Sequence, residues 1–347
     1  MSPTPLHQIT RCLILLIASA SFAQSDTSAS AKIQQAPEAL LENQTHAVCY
    51  SGFRKGQHPD RGNGANNPTD EQILEDLHIL LDQTQFRLIR LYDAGQNSAA
   101  VLRLIDQHDL PIKVLLGAWL SAEVSNPDCP WHPEPFTDEA LAENKRTNAK
   151  EIERAINLAN AHPETVIAVS VGNEALVIWN DHMVPVESVI QYVLTTKAAI
   201  DQPVTVADNY DWWATQGKEL ASHLDFVSVH IYPVWEERDI DEGLSYSIEN
   251  IQRVRDALPD AQLVLTEAGW ATTASDFGPR ASEAKQTRYY KELYAWTSTM
   301  NITTFFFEAF DESWKGDPNN PYGAEKHWGL FFESRKPKQI IKAINQD

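Results

Sequence analysis

From residue 166 to residue 174 the chain reads Val-Ile-Ala-Val-Ser-Val-Gly-Asn-Glu, an apolar run that ends on a glycine, an amide and a carboxylate. A short run of this kind, bounded by polar residues, is typical of a strand buried on both faces, as strands of parallel sheets are. Residues 262–270 repeat the pattern as Gln-Leu-Val-Leu-Thr-Glu-Ala-Gly-Trp. The chain therefore places two carboxylates, Glu174 and Glu267, where predicted buried strands end.

Strand and helix signals alternate on both sides of these runs. Thr69 and Gln72, for example, form a capping-box pattern that predicts the start of a helix. The other predicted strands are residues 46–50, 86–92, 113–119, 204–208, 226–232 and 302–307. Because a helix signal follows each strand, and polar residues cluster at the carboxyl ends of nearly all strands, the pattern favours a single (β/α)8 TIM barrel over a doubly wound sheet.

The first residues of the chain differ from the remainder. Arg11 and the amino terminus supply positive charge ahead of an apolar run, residues 13–22, which is too short to span a bilayer. Small residues around Ala23 suit a cleavage point. We therefore predict a signal peptide at residues 1–23, a flexible segment at residues 24–45 and a catalytic domain at residues 46–347. A secreted protein, extracellular or periplasmic, is the expectation.

Composition excludes some partners. The chain has 347 residues, 43% of them hydrophobic, and a formal net charge of -20. A phosphate surface repels such a protein, so we expect neither nucleic acid nor a membrane surface as partner. A neutral polymer is compatible with this charge, and we expect the protein to be a monomer.

Two cysteines, Cys49 and Cys129, follow the predicted signal peptide. An oxidising compartment would allow them to form one disulfide. Cys49 lies in a predicted apolar strand, where a buried free thiol is equally natural. The sequence leaves both states open.

In a (β/α)8 barrel the active site lies at the carboxyl ends of the strands. The residues at these strand ends are therefore the candidate site residues. The collection is rich in carboxylates and aromatic rings, which suits a carbohydrate, because sugar faces stack on aromatic planes and hydroxyls bind polar edges. Its members are Tyr92, Asp93, Trp119, Asn173, Glu174, Asp208, His230, Tyr232, Glu267, Trp270, Glu308, Phe310 and Glu312.

Glu174 and Glu267 suit the cleavage of a glycosidic bond. They end the fourth and seventh predicted strands, which stand across the barrel mouth from each other, so the two side chains can approach. A retaining glycosidase needs a carboxyl separation of about 5 to 5.5 Å, with one group protonated and the other ionised.

Three motifs resemble those of glycoside hydrolase family 17, the β-1,3-glucanases. They are residues 169–174 (Val-Ser-Val-Gly-Asn-Glu), residues 265–270 (Leu-Thr-Glu-Ala-Gly-Trp) and residues 305–315 (Phe-Phe-Phe-Glu-Ala-Phe-Asp-Glu-Ser-Trp-Lys), followed by Trp-Gly-Leu-Phe at residues 328–331. The resemblance covers residues 46–335, with the motifs in the same order, and implies a retaining β-1,3-glucanase. Together with the predicted signal peptide, it gives the leading hypothesis of a secreted, metal-independent enzyme without a cofactor.

The resemblance also implies roles for individual residues. Glu174 would be the general acid/base and Glu267 the nucleophile, while Asn173 would bind the sugar 2-hydroxyl. Tyr232 would hydrogen-bond the nucleophile, and Tyr92 would line the same subsite. A supporting cluster of carboxylates and a lysine would comprise Glu312, Lys315 and Glu325.

Other residues are assigned by position. We expect His230 to be a hydrogen-bonded wall residue, Trp270 and Trp314 to stack on sugar, and Glu308, which stands where plant members carry an apolar residue, to contact substrate with Glu312 and Lys315. A purely structural ion pair between Glu312 and Lys315 is an equally open alternative. Some further tryptophans on loops of the same face should form subsites: Trp119, Trp131, Trp179, Trp212, Trp213 and Trp235. The long segment at residues 120–148 could close one end of the groove.

Alternative functions remain open at this stage. Endo and exo cleavage depend on whether that groove is open, and transglycosylation on whether a sugar or water attacks the intermediate. A metal-dependent hydrolase would need ligand motifs such as His-Glu-x-x-His, which the sequence lacks. A glycan-binding barrel without activity would lack one of the two carboxylates, and both are present.

Overall fold

A computed structural model describes residues 33–60, 64–132 and 134–345 of the chain. The predicted signal peptide at residues 1–23 lies outside the described residues. In the described part, no helix is both long enough and apolar enough to cross a membrane.

Eight parallel strands form a closed barrel in sequence order. Strand β1 closes it by pairing with β8, where His46 lies opposite Thr304. This confirms the predicted (β/α)8 TIM barrel. The strands are β1 His46–Cys49, β2 Leu88–Arg90, β3 Lys113–Ala118, β4 Val166–Asn173, β5 Val204–Asn209, β6 Val227–Ile231, β7 Leu263–Gly269 and β8 Thr304–Phe307.

Helices surround the barrel and bury their apolar faces against the strands. The predicted capping box is confirmed, because the Thr69 hydroxyl accepts from the Gln72 main-chain N–H while the Gln72 side chain accepts from Thr69 N–H. The helices are α1 Asp70–Gln83, α2 Gln96–Gln107, α3 Asp138–Ala161, α4 Val186–Lys197, α5 Tyr210–Thr215, α6 Lys218–Ala221, α7 Ile240–Ala257, α8 Glu283–Met300 and α9 Gln339–Ile344. Because α3 begins at Asp138, the predicted loop at residues 120–148 is shorter than expected.

The prediction of a flexible segment at residues 24–45 is wrong for residues 33–45. Ile33 is buried in the core. The Gln35 side-chain amide donates to the carbonyl oxygens of Leu263 and Asn301, each at 3.0 Å, and its oxygen accepts from the Leu263 N–H at 2.6 Å. These bonds satisfy main-chain groups at the amino-terminal end of β7 and just before β8, so the segment packs against the amino-terminal end of the barrel.

Both cysteines that follow the predicted signal peptide carry free thiols. Cys49 lies in β1, and its sulfur contacts the carbonyl oxygen of Thr266 at 3.4 Å. Burial raises the pKa of this thiol to about 12, so it stays protonated. Cys129 is buried separately, in the connection between β3 and α3. The structure thus answers the open question in favour of two separate thiols.

Candidate active site

The end of β4 carries two consecutive polar residues into the barrel mouth. Neighbouring residues of a regular strand point to opposite faces. Here Gly172 adopts a φ of 86°, and the register between β4 and β5 shifts between Ser170 and Asn173. This irregularity allows the Asn173 and Glu174 side chains to face the same site, where each has a hydrogen-bond partner on another strand.

Glu267 lies at the carboxyl end of β7 and is almost completely buried. Its Oε1 accepts from Arg90 Nη1 at 2.6 Å and from the Tyr92 hydroxyl at 3.0 Å, and its Oε2 accepts from the Tyr232 hydroxyl at 2.5 Å. Burial alone would raise the pKa of Glu267, but the adjacent His230 ring, the Arg90 guanidinium and the two phenols outweigh it and lower this pKa. Glu267 is therefore held as a carboxylate.

Arg90 is the site residue that the sequence analysis missed. It extends from β2 with 1% of its surface exposed and binds two predicted site residues, Glu267 through Nη1 and Asn173 Oδ1 through Nη2, both at 2.6 Å. The sequence contained a signal for Arg90, because every second residue of a strand lies on the same face, and residues 88, 90 and 92 of the predicted strand therefore share one face. That periodicity places the charge of Arg90 beside Tyr92 at the barrel mouth.

His230 connects the two carboxylates. Its Nδ1 lies 3.0 Å from Glu174 Oε1 and 3.6 Å from Glu267 Oε2, while its Nε2 lies 3.2 Å from Arg90 Nη1. Arginine can only donate, so Nε2 accepts and the ring proton is on Nδ1, which donates to Glu174. Because both carboxylate oxygens contact one nitrogen, they are at most 6.6 Å apart, the sum of the two distances.

The two carboxylates differ in exposure and in hydrogen bonding. The Glu174 side chain is 25% exposed, against 7% for Glu267. Glu174 accepts from His230, whereas Glu267 accepts from an arginine and two phenols. Glu174 is thus accessible to solvent and to a ligand, while Glu267 is enclosed by donors.

Three residues after β8 form a buried cluster rather than a substrate-contacting surface. Lys315 Nζ bonds to Glu308 and lies 3.0 Å from Glu312 Oε2, and each glutamate is 1% exposed. Glu312 also accepts from the Ser51 hydroxyl at 2.7 Å and the Phe53 N–H at 2.9 Å. Their burial contradicts the expectation of substrate contact for Glu308 and Glu312: Glu312 accepts from protein donors, and Glu308 is bonded to Lys315 through Oε2.

Burial shifts the pKa values of carboxyl groups in and near this cluster. Burial raises the pKa of Glu308 well above its usual range, with a further contribution from Glu312, while Lys315 opposes the rise. The half-buried Glu325 also has a raised pKa, first because of burial and then because of nearby carboxylates, including Glu174. Lys315 is partly exposed and remains a candidate for substrate contact.

The tryptophans divide into buried and exposed sets. Trp270 is completely buried, with its Nε1 donating to the Arg280 carbonyl oxygen at 2.8 Å and its ring packed on Tyr289. It cannot stack on a sugar, so that prediction is wrong. Trp212 and Trp213 are also buried. The half-buried Trp314 packs against Phe53 and stays a candidate. The exposed rings are Trp119, Trp131, Trp179 and Trp235.

Within the described residues, no group of three or more His, Cys, Asp or Glu side chains has the geometry to hold a metal ion. The buried pairs of the site are each formed between protein groups, as in Arg90 with Glu267 and Lys315 with Glu312.

Comparison with known proteins agrees with this geometry. The family model described as "BtgE/BtgC glycoside hydrolase domain" matches residues 47–329. A curated relative, the "Glucan 1,3-beta-glucosidase" of Arthroderma benhamiae, is 23% identical over 265 residues, which cover 72% of this chain and 78% of that protein. Other fungal relatives are longer, and the chain spans 43% and 40% of two of them.

Two solved structures share the fold. An endo-laminarinase from Formosa Hel1_33_131 superimposes with a TM-score of 0.73 and 24% identity, covering 90% of this chain and 89% of that one. A Rhizomucor miehei β-1,3-glucanosyltransferase mutant in complex with laminaritriose has a TM-score of 0.65 and 19% identity, covering 88% and 97%. Because the family model extends from β1 past β8 and includes both strand-end glutamates, the chain belongs to the BtgE/BtgC glycoside hydrolase family.

Proposed function

We propose that the protein hydrolyses β-1,3-glucan by a retaining mechanism, in which Glu267 is the nucleophile and Glu174 the general acid/base. The observation that carries this proposal is the contact of both carboxylates with His230 Nδ1, at 3.0 and 3.6 Å. The resulting upper limit of 6.6 Å on the distance between Glu174 Oε1 and Glu267 Oε2 is compatible with the about 5 to 5.5 Å of a retaining pair and lies at the lower edge of the inverting range.

The substrate class rests on the relatives and on the site. Curated relatives are named for β-1,3-glucan, as the glucosidase of Arthroderma benhamiae is. A neutral glucan is compatible with a chain of net charge -20, and exposed tryptophans supply apolar faces for sugar rings. We further propose that the protein is secreted, as residues 1–23 suggest, and acts as a monomer.

In the first step, a Glu267 oxygen attacks the anomeric carbon, and the bond from that carbon to the leaving oxygen breaks. Glu174 gives its proton to the leaving oxygen, which keeps the electron pair. Because the pKa of Glu267 is lowered, this carboxyl is ionised for attack. Burial raises the pKa of Tyr232, so its hydroxyl keeps the proton that it donates to Glu267.

In the second step, water attacks the anomeric carbon from the side that the leaving group vacated. Glu174, now ionised, removes a proton from this water, and the bond to Glu267 breaks. His230 carries its ring proton on Nδ1, the nitrogen that faces Glu174 Oε1. This arrangement leaves Glu174 Oε2 to exchange the catalytic proton with the leaving oxygen and with water.

The proposal is tested with Glu267→Gln and Glu174→Gln on laminarin, since each change keeps side-chain volume. We expect turnover to fall by about 100-fold or more, because general acid/base catalysis contributes about 100- to 10,000-fold. In Glu174→Ala, a 2,4-dinitrophenyl glycoside should react without the acid, and added azide should yield a β-glycosyl azide. Near-normal laminarin turnover in either glutamine variant, or a first product with inverted configuration, would reject the mechanism.

Transfer to a second sugar is a further candidate activity. Trp119 and Trp179 are exposed on the loops after β3 and β4, beside the acid/base rather than the nucleophile. Groups on that side would bind the leaving sugar and, after it departs, an acceptor sugar. Product analysis at high oligosaccharide concentration separates the two outcomes, because transfer gives products longer than the starting sugar and hydrolysis gives none.

A further inference from the structure

The main chain at Glu174 has an unusual conformation that needs external support. Its φ is +46°, in the left-handed region that residues with a side chain seldom adopt. Two hydrogen bonds hold this residue. Its N–H donates to the Ala207 carbonyl oxygen of β5 at 2.8 Å, and its own carbonyl oxygen accepts from the side-chain amide of Asn180.

Asn180 is itself fixed from several directions. The residue is buried, its carbonyl oxygen accepts from the Asn126 side-chain amide at 2.7 Å, and its Oδ1 accepts from the His182 N–H at 3.2 Å. The His182 ring, in turn, donates through Nε2 to the Asn173 carbonyl oxygen at 2.9 Å. Residues 180 and 182 therefore hold the carbonyl groups of both site residues that follow Gly172.

The connection extends to the loop after β3. Asn126 belongs to that loop and also donates to the Ile178 carbonyl oxygen at 2.6 Å. The Glu123 N–H donates to the Met183 carbonyl oxygen at 2.9 Å. Two surface loops are thus joined by side-chain amides, and their junction lies at Asn180, one hydrogen bond from the main chain of Glu174.

We propose that Asn180 is a positioning residue that aims Glu174 at the leaving oxygen by fixing the left-handed main chain of that glutamate. The inference rests on the proposed role of Glu174 as acid/base. Asn180 is buried and its side chain bonds to main-chain groups, including the carbonyl oxygen of Glu174, so it acts through the main chain. Its amide N–H is the feature required, because a carbonyl oxygen can only accept.

Loss of this bond has a specific kinetic consequence. A general acid must lie within hydrogen-bond reach of its target, and displacement of a catalytic group by about 1 Å can cost about 100-fold in rate. The penalty applies only where the leaving group needs a proton. A 2,4-dinitrophenolate leaves without a proton, so the rate of its release should not depend on the position of the Glu174 carboxyl. The rate of release of a sugar should depend on that position.

The experiment measures kcat/KM of Asn180→Ala and Asn180→Asp on laminaritetraose and on 2,4-dinitrophenyl β-laminaribioside. Aspartate keeps the size of the side chain but lacks the donor. We expect both variants to lose about 10- to 100-fold on laminaritetraose and to keep wild-type kcat/KM on the dinitrophenyl substrate. The ratio of the two values is independent of how much of the preparation is folded.

A matched control is Asn144→Ala. The Asn144 amide donates to the Ala122 carbonyl oxygen at 2.9 Å, so it also ties the loop after β3, without contacting Glu174. We expect this variant to keep the wild-type ratio. Equal losses on both substrates in the Asn180 variants, or no loss on either, would overturn the inference.

The same assay separates this inference from the proposed function. If Glu174→Ala loses activity on laminaritetraose but keeps it on the dinitrophenyl substrate, Glu174 is the acid, and the Asn180 variants then test positioning alone. If Glu174→Ala loses both activities equally, the proposed role of Glu174 fails before Asn180 is considered.

Discussion

Replacing Arg90 with methionine removes the guanidinium from a buried ion pair while keeping an unbranched apolar side chain of similar length. The pair has Nη1 at 2.6 Å from Glu267 Oε1, and Arg90 and Glu267 side chains are 1% and 7% exposed. Removal of one partner from a buried pair costs about 3 to 5 kcal/mol. Because Tyr92 and Tyr232 still donate to Glu267, we expect the free energy of unfolding at neutral pH to fall by about 3 kcal/mol.

The loss should depend on pH in a defined direction. The pKa of Glu267 is lower in the folded protein than in the unfolded chain, so its ionised form adds stability above the unfolded pKa. This contribution disappears as pH falls through the folded pKa. Removal of Arg90 raises the folded pKa, so the stability difference between wild type and Arg90→Met should be largest near neutral pH and should shrink in acid.

Two measurements check these statements. Urea unfolding at neutral and acidic pH gives the stability difference, and the pH profile of kcat/KM on laminarin gives the acid limb, which we expect at higher pH in the variant. Arg87→Met is the matched control. Arg87 directly precedes β2, and its side chain donates to main-chain carbonyl oxygens rather than to a carboxylate. An acid limb that stays in place or moves to lower pH would refute the role assigned to Arg90.

The remaining predictions concern tryptophans and thiols. Trp270→Ala should lower the free energy of unfolding by about 3 to 5 kcal/mol in urea, as deletion of a buried aromatic ring does, without raising KM for laminarin. Trp179→Ala should instead raise KM for long oligosaccharides by on the order of tenfold, equivalent to about 1.4 kcal/mol, with unchanged Tm. A reductant should leave Tm unchanged, since Cys49 and Cys129 are free thiols, and a lower Tm under reduction would contradict this.

The alternation of side chains between the two faces of a strand explains which site residues could be predicted. Residues an even number of positions apart share a face of a strand, so Arg90 and Tyr92 both face the barrel mouth. Trp270 is three residues from Glu267, and the same rule turns it outward, where it packs near Gly243 between α7 and α8. Selection of residues by strand ends alone, without this alternation, includes Trp270 and omits Arg90.

Asn173 and Glu174 show the limit of that rule. They are consecutive, and in a regular strand the side chain of one of them would point away from the site. Both reach it because the main chain departs from regular strand geometry at Gly172 and continues into a left-handed Glu174. The motif indicated the chemistry of both residues. The irregular main-chain conformation, however, depends on hydrogen bonds of Glu174 to Ala207 and Asn180, and the motif itself does not specify these partners.

The fold itself was predictable because its signals are local and repeated. Each strand is a short apolar run, and each helix has a recognisable apolar face. The segment at residues 33–45 was mistaken for a flexible tether because its order depends on contacts with distant parts of the chain, such as those of Gln35 with β7, more than 200 residues away, and of Leu41 with Thr303. Burial of Glu308 and Glu312 was equally hidden, because a position after a strand end does not show that both carboxylates turn inward to Lys315.

The proposed roles of the two catalytic glutamates can also be argued from their surroundings alone. A nucleophile must be ionised, and donors with a positive charge favour that state, as Arg90 does for Glu267. An acid/base must exchange protons with the leaving group and with water, which requires exposure, and Glu174 is the more exposed of the two. If donors set the roles, removing both Arg90 and the Tyr232 hydroxyl should raise the pKa of Glu267 further than removing Arg90 alone, and the acid limb of the pH profile should move to still higher pH while the protein stays folded.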